Sequence, residues 1–87
     1  MEINQLVIIV EKKIRDKINL ETITIEDKSF LHKNHKNNEK NKYHLKISIK
    51  SENLKDVKKI DATKMIYSAI SVEMKNYIHS IQLSINQ

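Results

Sequence analysis

The 87-residue chain contains no cysteine, no glycine, no proline and no tryptophan. Without cysteine it has no disulfide framework, no thiol nucleophile, no zinc knuckle and no self-sufficient iron-sulfur site. Without glycine it has no glycine-rich loop of the kind that cradles phosphates. Any metal chemistry that needs thiolates therefore requires a partner that supplies them.

Long apolar runs are also missing. No segment approaches the roughly 18 apolar residues of a membrane-spanning helix. The first residues lack the basic start, the hydrophobic stretch and the small-residue cleavage site of a signal peptide. We therefore expect a soluble, cytoplasmic protein that does not bind membranes. A chain of this length has room for one small domain, residues 1–87, with a single thin core.

Lysine dominates the charged residues. The chain has 16 basic and 11 acidic residues, which gives a net charge of +5, and Arg15 is its only arginine. This excess favours anionic partners through long-range attraction. Together with abundant Ile and Asn, however, it also matches the compositional bias of AT-rich coding sequences. Ten lysines lie in residues 33–64 against four acidic residues, so an anion-binding face would lie there.

Hydrophobic periodicity divides the chain into helices, strands and one long polar segment. Apolar residues recur at helical spacing in two stretches and alternate with polar residues in three others. The predicted elements, in order, are a helix over residues 2–17, a strand over 20–26, a mobile loop over 31–42, a strand over 43–50, a helix over 58–76 and a strand over 80–85.

The α-β-β-α-β order of these elements restricts the fold. The first two strands are expected to pair antiparallel, and the last strand can return beside a parallel neighbour by a right-handed crossover. Both helices then lie on one face of the sheet. The sequence predicts an α+β two-layer sandwich with a three-stranded mixed sheet.

The sequence shows no enzyme motif, and we expect no catalytic residues. Ser80 and His79 are neighbours in a strand, where adjacent side chains point to opposite faces. Glu26 and Asp27 are adjacent at the end of the first strand, where we interpret them as a solvated strand end. Neither pair predicts a catalytic assembly.

The four histidines are the residues with plausible special chemistry. His32 and His35 have a spacing near that of metal ligands, but a polar Lys- and Asn-rich loop also acquires histidines without function. His44 lies on the outward face of its strand, which favours a surface or hydrogen-bonding role. His79 has the same parity as Ile81 and is expected to lean toward the core, as a binding residue or as a backbone-bonded imidazole.

The second predicted helix contains Lys64-Met65-Ile66-Tyr67, and His79 follows twelve residues after Tyr67, within Ile78-His79-Ser80. These residues resemble the BolA family, whose fold is related to the class II KH domain. The family's second helix reads Arg-His-Arg-x-Val-Tyr, and Val-His-Ala follows twelve residues after the tyrosine. Asp27-Lys28-Ser29-Phe30-Leu31-His32 is similar to the family's Asp-Glu-Ser-x-x-His, and Tyr43-His44-Leu45-Lys46-Ile47 is similar to its Ser-His-Phe-x-Val strand.

The chain also departs from the family pattern. Ala62-Thr63-Lys64 replaces the Arg-His-Arg triplet, so the central histidine of that triplet has no counterpart here. The loop is longer than in typical members. Counting from Asp27 selects His32 as the loop histidine, whereas counting back from His44 selects His35, and both assignments stay open.

The resemblance implies a protein partner. BolA proteins pair with monothiol glutaredoxins of the Cys-Gly-Phe-Ser type and share a 2Fe-2S cluster with the glutaredoxin and its glutathione. The ligands are the histidine at the strand entrance and a loop histidine or cysteine. Carried over here, these are His79 and then His32 or His35, so we expect an adaptor that binds no cluster alone. An imidazole ligand must be neutral, so such ligation weakens as the solution becomes acidic.

The resemblance also implies a second class of function, nucleic-acid binding by a KH-like transcriptional regulator. A KH domain clamps single strands with a GXXG loop, which a chain without glycine does not have. Instead of such a clamp, a cationic face near the start of the second helix could contact the phosphates, and there we expect at best weak, salt-dependent binding of nucleic acid. Its residues are Lys55, Lys58, Lys59 and Lys64.

Overall fold

A computed structural model describes residues 1–29 and 42–86 of the chain. The described part forms three α-helices, three strands and a short 3-10 turn. Their bounds are α1 (Ile3–Lys17), β1 (Thr22–Asp27), β2 (Tyr43–Lys50), the 3-10 turn (Glu52–Leu54), α2 (Lys59–Ala69), α3 (Ser71–Asn76) and β3 (Ile78–Asn86).

The three strands form one mixed sheet in the order β1-β2-β3. β1 pairs antiparallel with β2, with Ile25 opposite Ile47. β2 pairs in parallel with β3, with Ile47 opposite Leu83. The sequence prediction of an α+β sandwich with a three-stranded mixed sheet is therefore confirmed.

The core lies between the sheet and the helices because each element contributes one apolar face. In α1 the buried residues Leu6, Val10 and Ile14 recur every four positions, which places them on one side of the helix. In β2 the buried apolar residues Leu45, Ile47 and Ile49 occupy alternate positions, as they do in a strand with one face against a core. The buried apolar residues are Leu6, Val10, Ile14, Ile18, Leu45, Ile47, Ile49, Leu54, Ala62, Ile66, Ile70 and Ile78.

The helix predicted over residues 58–76 is in fact two helices. Ile70 leaves the helical region with φ −116° and ψ 30°, and it ends α2 and precedes α3. Its side chain is fully buried. The apolar spacing continues across this position and no glycine or proline marks it, so the break is not visible in the residue pattern.

The sheet has a second face, opposite the helices, that is polar. The residues on it include Thr24, Lys46, Ser48 and Gln82, and cross-strand pairing sets them beside one another. No helix within residues 1–29 and 42–86 is long and apolar enough to cross a membrane.

Candidate functional site

The register between β2 and β3 is irregular where the two strands begin. Tyr43 pairs with Ile78, but the next residue, His44, pairs with Ser80, so His79 has no partner across the strands. This is a bulge on β3, and bulges are rare between parallel strands. A bulge redirects the side chain at its position, and His79 is exposed at the entrance of β3.

The prediction that His79 leans toward the core is wrong. Its ring lies against the ring of His44, with 4.9 Å between the two centroids and 57° between the planes. His44 has the parity opposite to the buried Leu45 and therefore lies on the polar face of the sheet. The bulge explains the difference, since it interrupts the alternation between His79 and Ile81.

His44 lies on the outward face of β2, as its parity predicted, and it is hydrogen-bonded. Its Nδ1 atom is 2.7 Å from Oγ of Ser80. It is only 7% exposed, however, so it is not a surface residue. Ser80 and His79 were expected to point to opposite faces, yet both contact the His44 ring, again because of the bulge.

The end of β1 supports the start of β2. The backbone N–H of Ser29 donates to Oδ1 of Asp27 at 2.9 Å. The backbone N–H of His44 then donates to Oγ of Ser29 at 3.1 Å, and the N–H of Lys28 donates to the His44 carbonyl at 2.7 Å. Glu26 and Asp27 are exposed, as expected for a solvated strand end.

The other two histidines, His32 and His35, lie outside the described residues. Across residues 1–29 and 42–86, no group of three or more His, Cys, Asp or Glu side chains is placed to hold a metal ion. The imidazoles that the described part brings together are those of His44 and His79. Sequence reasoning selected His79 but missed its contact with His44, which depends on strand register.

The four lysines of the alternative site lie around the start of α2 and are all exposed. Lys58 is the N-cap of the helix, and its side chain makes no capping hydrogen bond. Within the described residues none of the four forms an ion pair. Lys55, Lys58, Lys59 and Lys64 thus have the exposure that phosphate contacts require.

A family model described as BolA-like protein matches residues 14–87, which is most of the chain. The chain belongs to the BolA-like family. Among curated proteins no sequence matches this BolA-like chain.

Solved structures of BolA domains have the same fold as this BolA-like chain. The BolA domain of SufE1 from Arabidopsis thaliana is 18% identical, with a TM-score of 0.73 over 88% of this chain and 85% of that chain. BolA1 from Arabidopsis thaliana is 18% identical, with a TM-score of 0.74 over the same shares of the two chains, 88% and 85%. A bol-like protein from Babesia bovis is 21% identical, with a TM-score of 0.67 over 88% and 78%.

Proposed function

We propose that this BolA-like chain is a non-enzymatic adaptor that pairs with a monothiol glutaredoxin and shares a 2Fe-2S cluster with it. Its role would lie in iron-sulfur cluster assembly, trafficking or iron regulation. His79 is the first of the ligands that the chain contributes. The observation that carries the proposal is the exposed imidazole of His79 in the bulge of β3, in a chain that has no cysteine.

The side chains near the bulge fit a shared cluster better than a site built by one chain. An exposed imidazole provides one nitrogen ligand, and the described residues hold no complete metal-binding group. Two further ligands in this proposal are the glutaredoxin cysteine and the thiolate of its glutathione. Because His79 is exposed at a strand entrance, a docked partner can reach it without unfolding the sheet.

An imidazole ligand changes the properties of the shared cluster. A neutral imidazole in place of a thiolate makes the cluster less negative and raises its reduction potential. We therefore assign to His79 both the attachment of the cluster to this chain and the adjustment of its potential. A loop histidine, His32 or His35, is the proposed second ligand, and single alanine variants of the two would separate them.

The proposal is tested by titrating a cluster-loaded monothiol glutaredoxin, with glutathione, with the BolA-like chain. We expect a saturable change in visible absorption and circular dichroism at one-to-one stoichiometry. The His79→Ala variant should fail to produce this change. Gln82→Ala is the matched control, because Gln82 is exposed on the same strand and should reproduce the wild-type titration.

Two results would contradict the proposal. One is the absence of a spectral change with the wild-type chain, together with no complex by size-exclusion chromatography. The other is a His79→Ala titration that overlays the wild-type curve. Far-ultraviolet circular dichroism of each variant shows whether the fold is intact, so a loss of binding is not mistaken for a loss of structure.

A further inference from the structure

The two imidazoles at the entrance of β3 differ in how firmly they are held. His79 is exposed and has no cross-strand partner, whereas His44 is 7% exposed and hydrogen-bonded. We propose that His44 is a positioning residue, whose fixed ring holds the His79 imidazole in the orientation that binds the cluster. This inference rests on the proposed function and adds a residue to its site.

His44 is suited to this role because its backbone and its ring are both fixed. It belongs to the central strand of the sheet. Its backbone N–H donates to Oγ of Ser29 at 3.1 Å, and its backbone carbonyl accepts from the N–H of Lys28 at 2.7 Å. Its Nδ1 atom is 2.7 Å from Oγ of Ser80. A ring held at these points is a rigid surface for the exposed imidazole of His79 beside it.

The ring contact has a geometry that aromatic side chains favour. Tilted pairs with centroids about 4.5–7 Å apart are preferred over face-to-face stacking, and the two rings are 4.9 Å apart and inclined by 57°. Restricting His79 before binding removes the cost of ordering it when the cluster is bound. Ordering one side chain corresponds to about a two- to tenfold change in affinity.

The same bulge produces the ligand and its support. Because His79 is the extra residue, Ser80 comes to lie opposite His44 and bonds its ring. Regular pairing would set His79 itself opposite His44, and neighbouring side chains in a regular strand point to opposite faces. The irregular register thus allows both residues of β3 to contact one imidazole.

His44 itself is poorly placed to be a ligand. Little of it reaches the surface, and one of its ring nitrogens is already engaged by Ser80. A cluster held by a docked partner approaches from outside, where His79 is exposed. This difference in exposure separates the ligand from the residue that orients it.

The first test is made on the isolated chain by NMR of the His79 ring, using carbon relaxation and the couplings that report χ1. We expect one dominant rotamer in the wild type and rotamer averaging in His44→Ala. His44→Phe keeps a ring at that position and should retain more order than His44→Ala. Ser80→Ala removes only the hydrogen bond to the His44 ring, so the His79 rotamers should average more than in the wild type and less than in His44→Ala. Ser48→Ala, on the same face of β2, is the control.

The second test repeats the glutaredoxin titration with these variants. His44→Ala should weaken cluster sharing by about two- to tenfold, with partial recovery in His44→Phe, whereas His79→Ala should abolish it. The positioning role is overturned if His44→Ala leaves both the His79 rotamer and the titration unchanged. It is equally overturned if His44→Ala still shares the cluster but its reduced cluster has lost one metal-bound nitrogen while that of His79 remains, since His44 would then be a ligand.

The two measurements also separate this inference from the function on which it rests. If the wild-type chain shares no cluster, the proposed function fails, while the NMR experiment still shows whether His44 orders His79. If His79→Ala abolishes sharing and His44→Ala has no effect in either test, the function stands and the positioning role is wrong.

Discussion

The Nζ atom of Lys13 on α1 lies 2.7 Å from Oε2 of Glu73 on α3. The Glu73 side chain is 5% exposed and that of Lys13 is 41% exposed, so a buried carboxylate is matched by a partly exposed ammonium group. Oε1 of Glu73 is buried and has no hydrogen-bond partner within the described residues. The ion pair therefore joins α1 to the helix that leads into β3.

Removing this ammonium group should destabilise the protein. Lys13→Met leaves the Glu73 carboxylate buried without a partner, and we expect the free energy of unfolding to fall by about 1–3 kcal/mol. This expected loss of stability is smaller than for a fully buried ion pair, because the Lys13 side chain is partly exposed to solvent. Urea unfolding followed by circular dichroism measures the change.

Lys12→Met is the matched control for this variant. Lys12 pairs with Asp16 at 2.8 Å on the exposed side of the same helix. The carboxylate of Asp16 raises the pKa of Lys12, mainly through this hydrogen bond and to a smaller extent through its negative charge. An exposed pair contributes little to stability, so equal losses for Lys12→Met and Lys13→Met would contradict the account of Glu73.

The packing of α2 gives a second prediction. Ile66 is fully buried and Ile60, in the same helix, is 63% exposed. Ile66→Ala should lower the free energy of unfolding by about 2–5 kcal/mol, because it removes buried methylene groups and leaves a cavity. Ile60→Ala should change it by less than about 0.5 kcal/mol. A similar loss in both variants would mean that α2 packs through another face.

The exposed lysines around α2 give a third prediction. We expect weak binding to single-stranded nucleic acid that falls steeply with salt, because the contacts are to phosphates and no glycine-rich clamp is present. In a filter-binding or fluorescence titration, the double variant Lys58→Gln and Lys59→Gln should lower the salt slope by roughly 1 to 1.5.

A double variant elsewhere on the surface controls for net charge. Lys17 and Lys75 are exposed and lie outside this group of lysines. Changing both to Gln removes the same amount of positive charge and should leave the salt dependence of nucleic-acid binding mostly unchanged. Submicromolar, sequence-selective binding of nucleic acid by the wild-type chain at physiological salt would favour nucleic-acid binding over cluster sharing as the function of the chain.

The strands were predictable because a period of two is a strong local signal. The alternation from Tyr43 to Lys50 gave β2 with its observed bounds. The core face of α1 followed from the spacing of Val10 and Ile14, which are both buried. The break at Ile70 was not predictable, because the residues on either side keep helical spacing and the change is confined to one backbone position.

The site was predictable only in part. His79 could be selected by its place in the family pattern, but its orientation depends on a bulge that no residue type marks. The contact with His44 joins residues 35 positions apart and follows from strand register. Glu73 was missed for a similar reason, since its partner Lys13 is 60 positions away in the sequence.

The central claim is that His79 binds the shared cluster, and pulsed electron paramagnetic resonance of the reduced mixed complex tests it most directly. The BolA-like chain is labelled with ¹⁵N, and the glutaredoxin and glutathione are left unlabelled. We predict a strongly coupled ¹⁵N signal from a metal-bound imidazole that persists in the His32→Ala, His35→Ala double variant, and we predict that adding His79→Ala to the double variant removes it. A complex that holds the cluster but shows no such signal, or whose signal persists in the triple variant, would contradict the account.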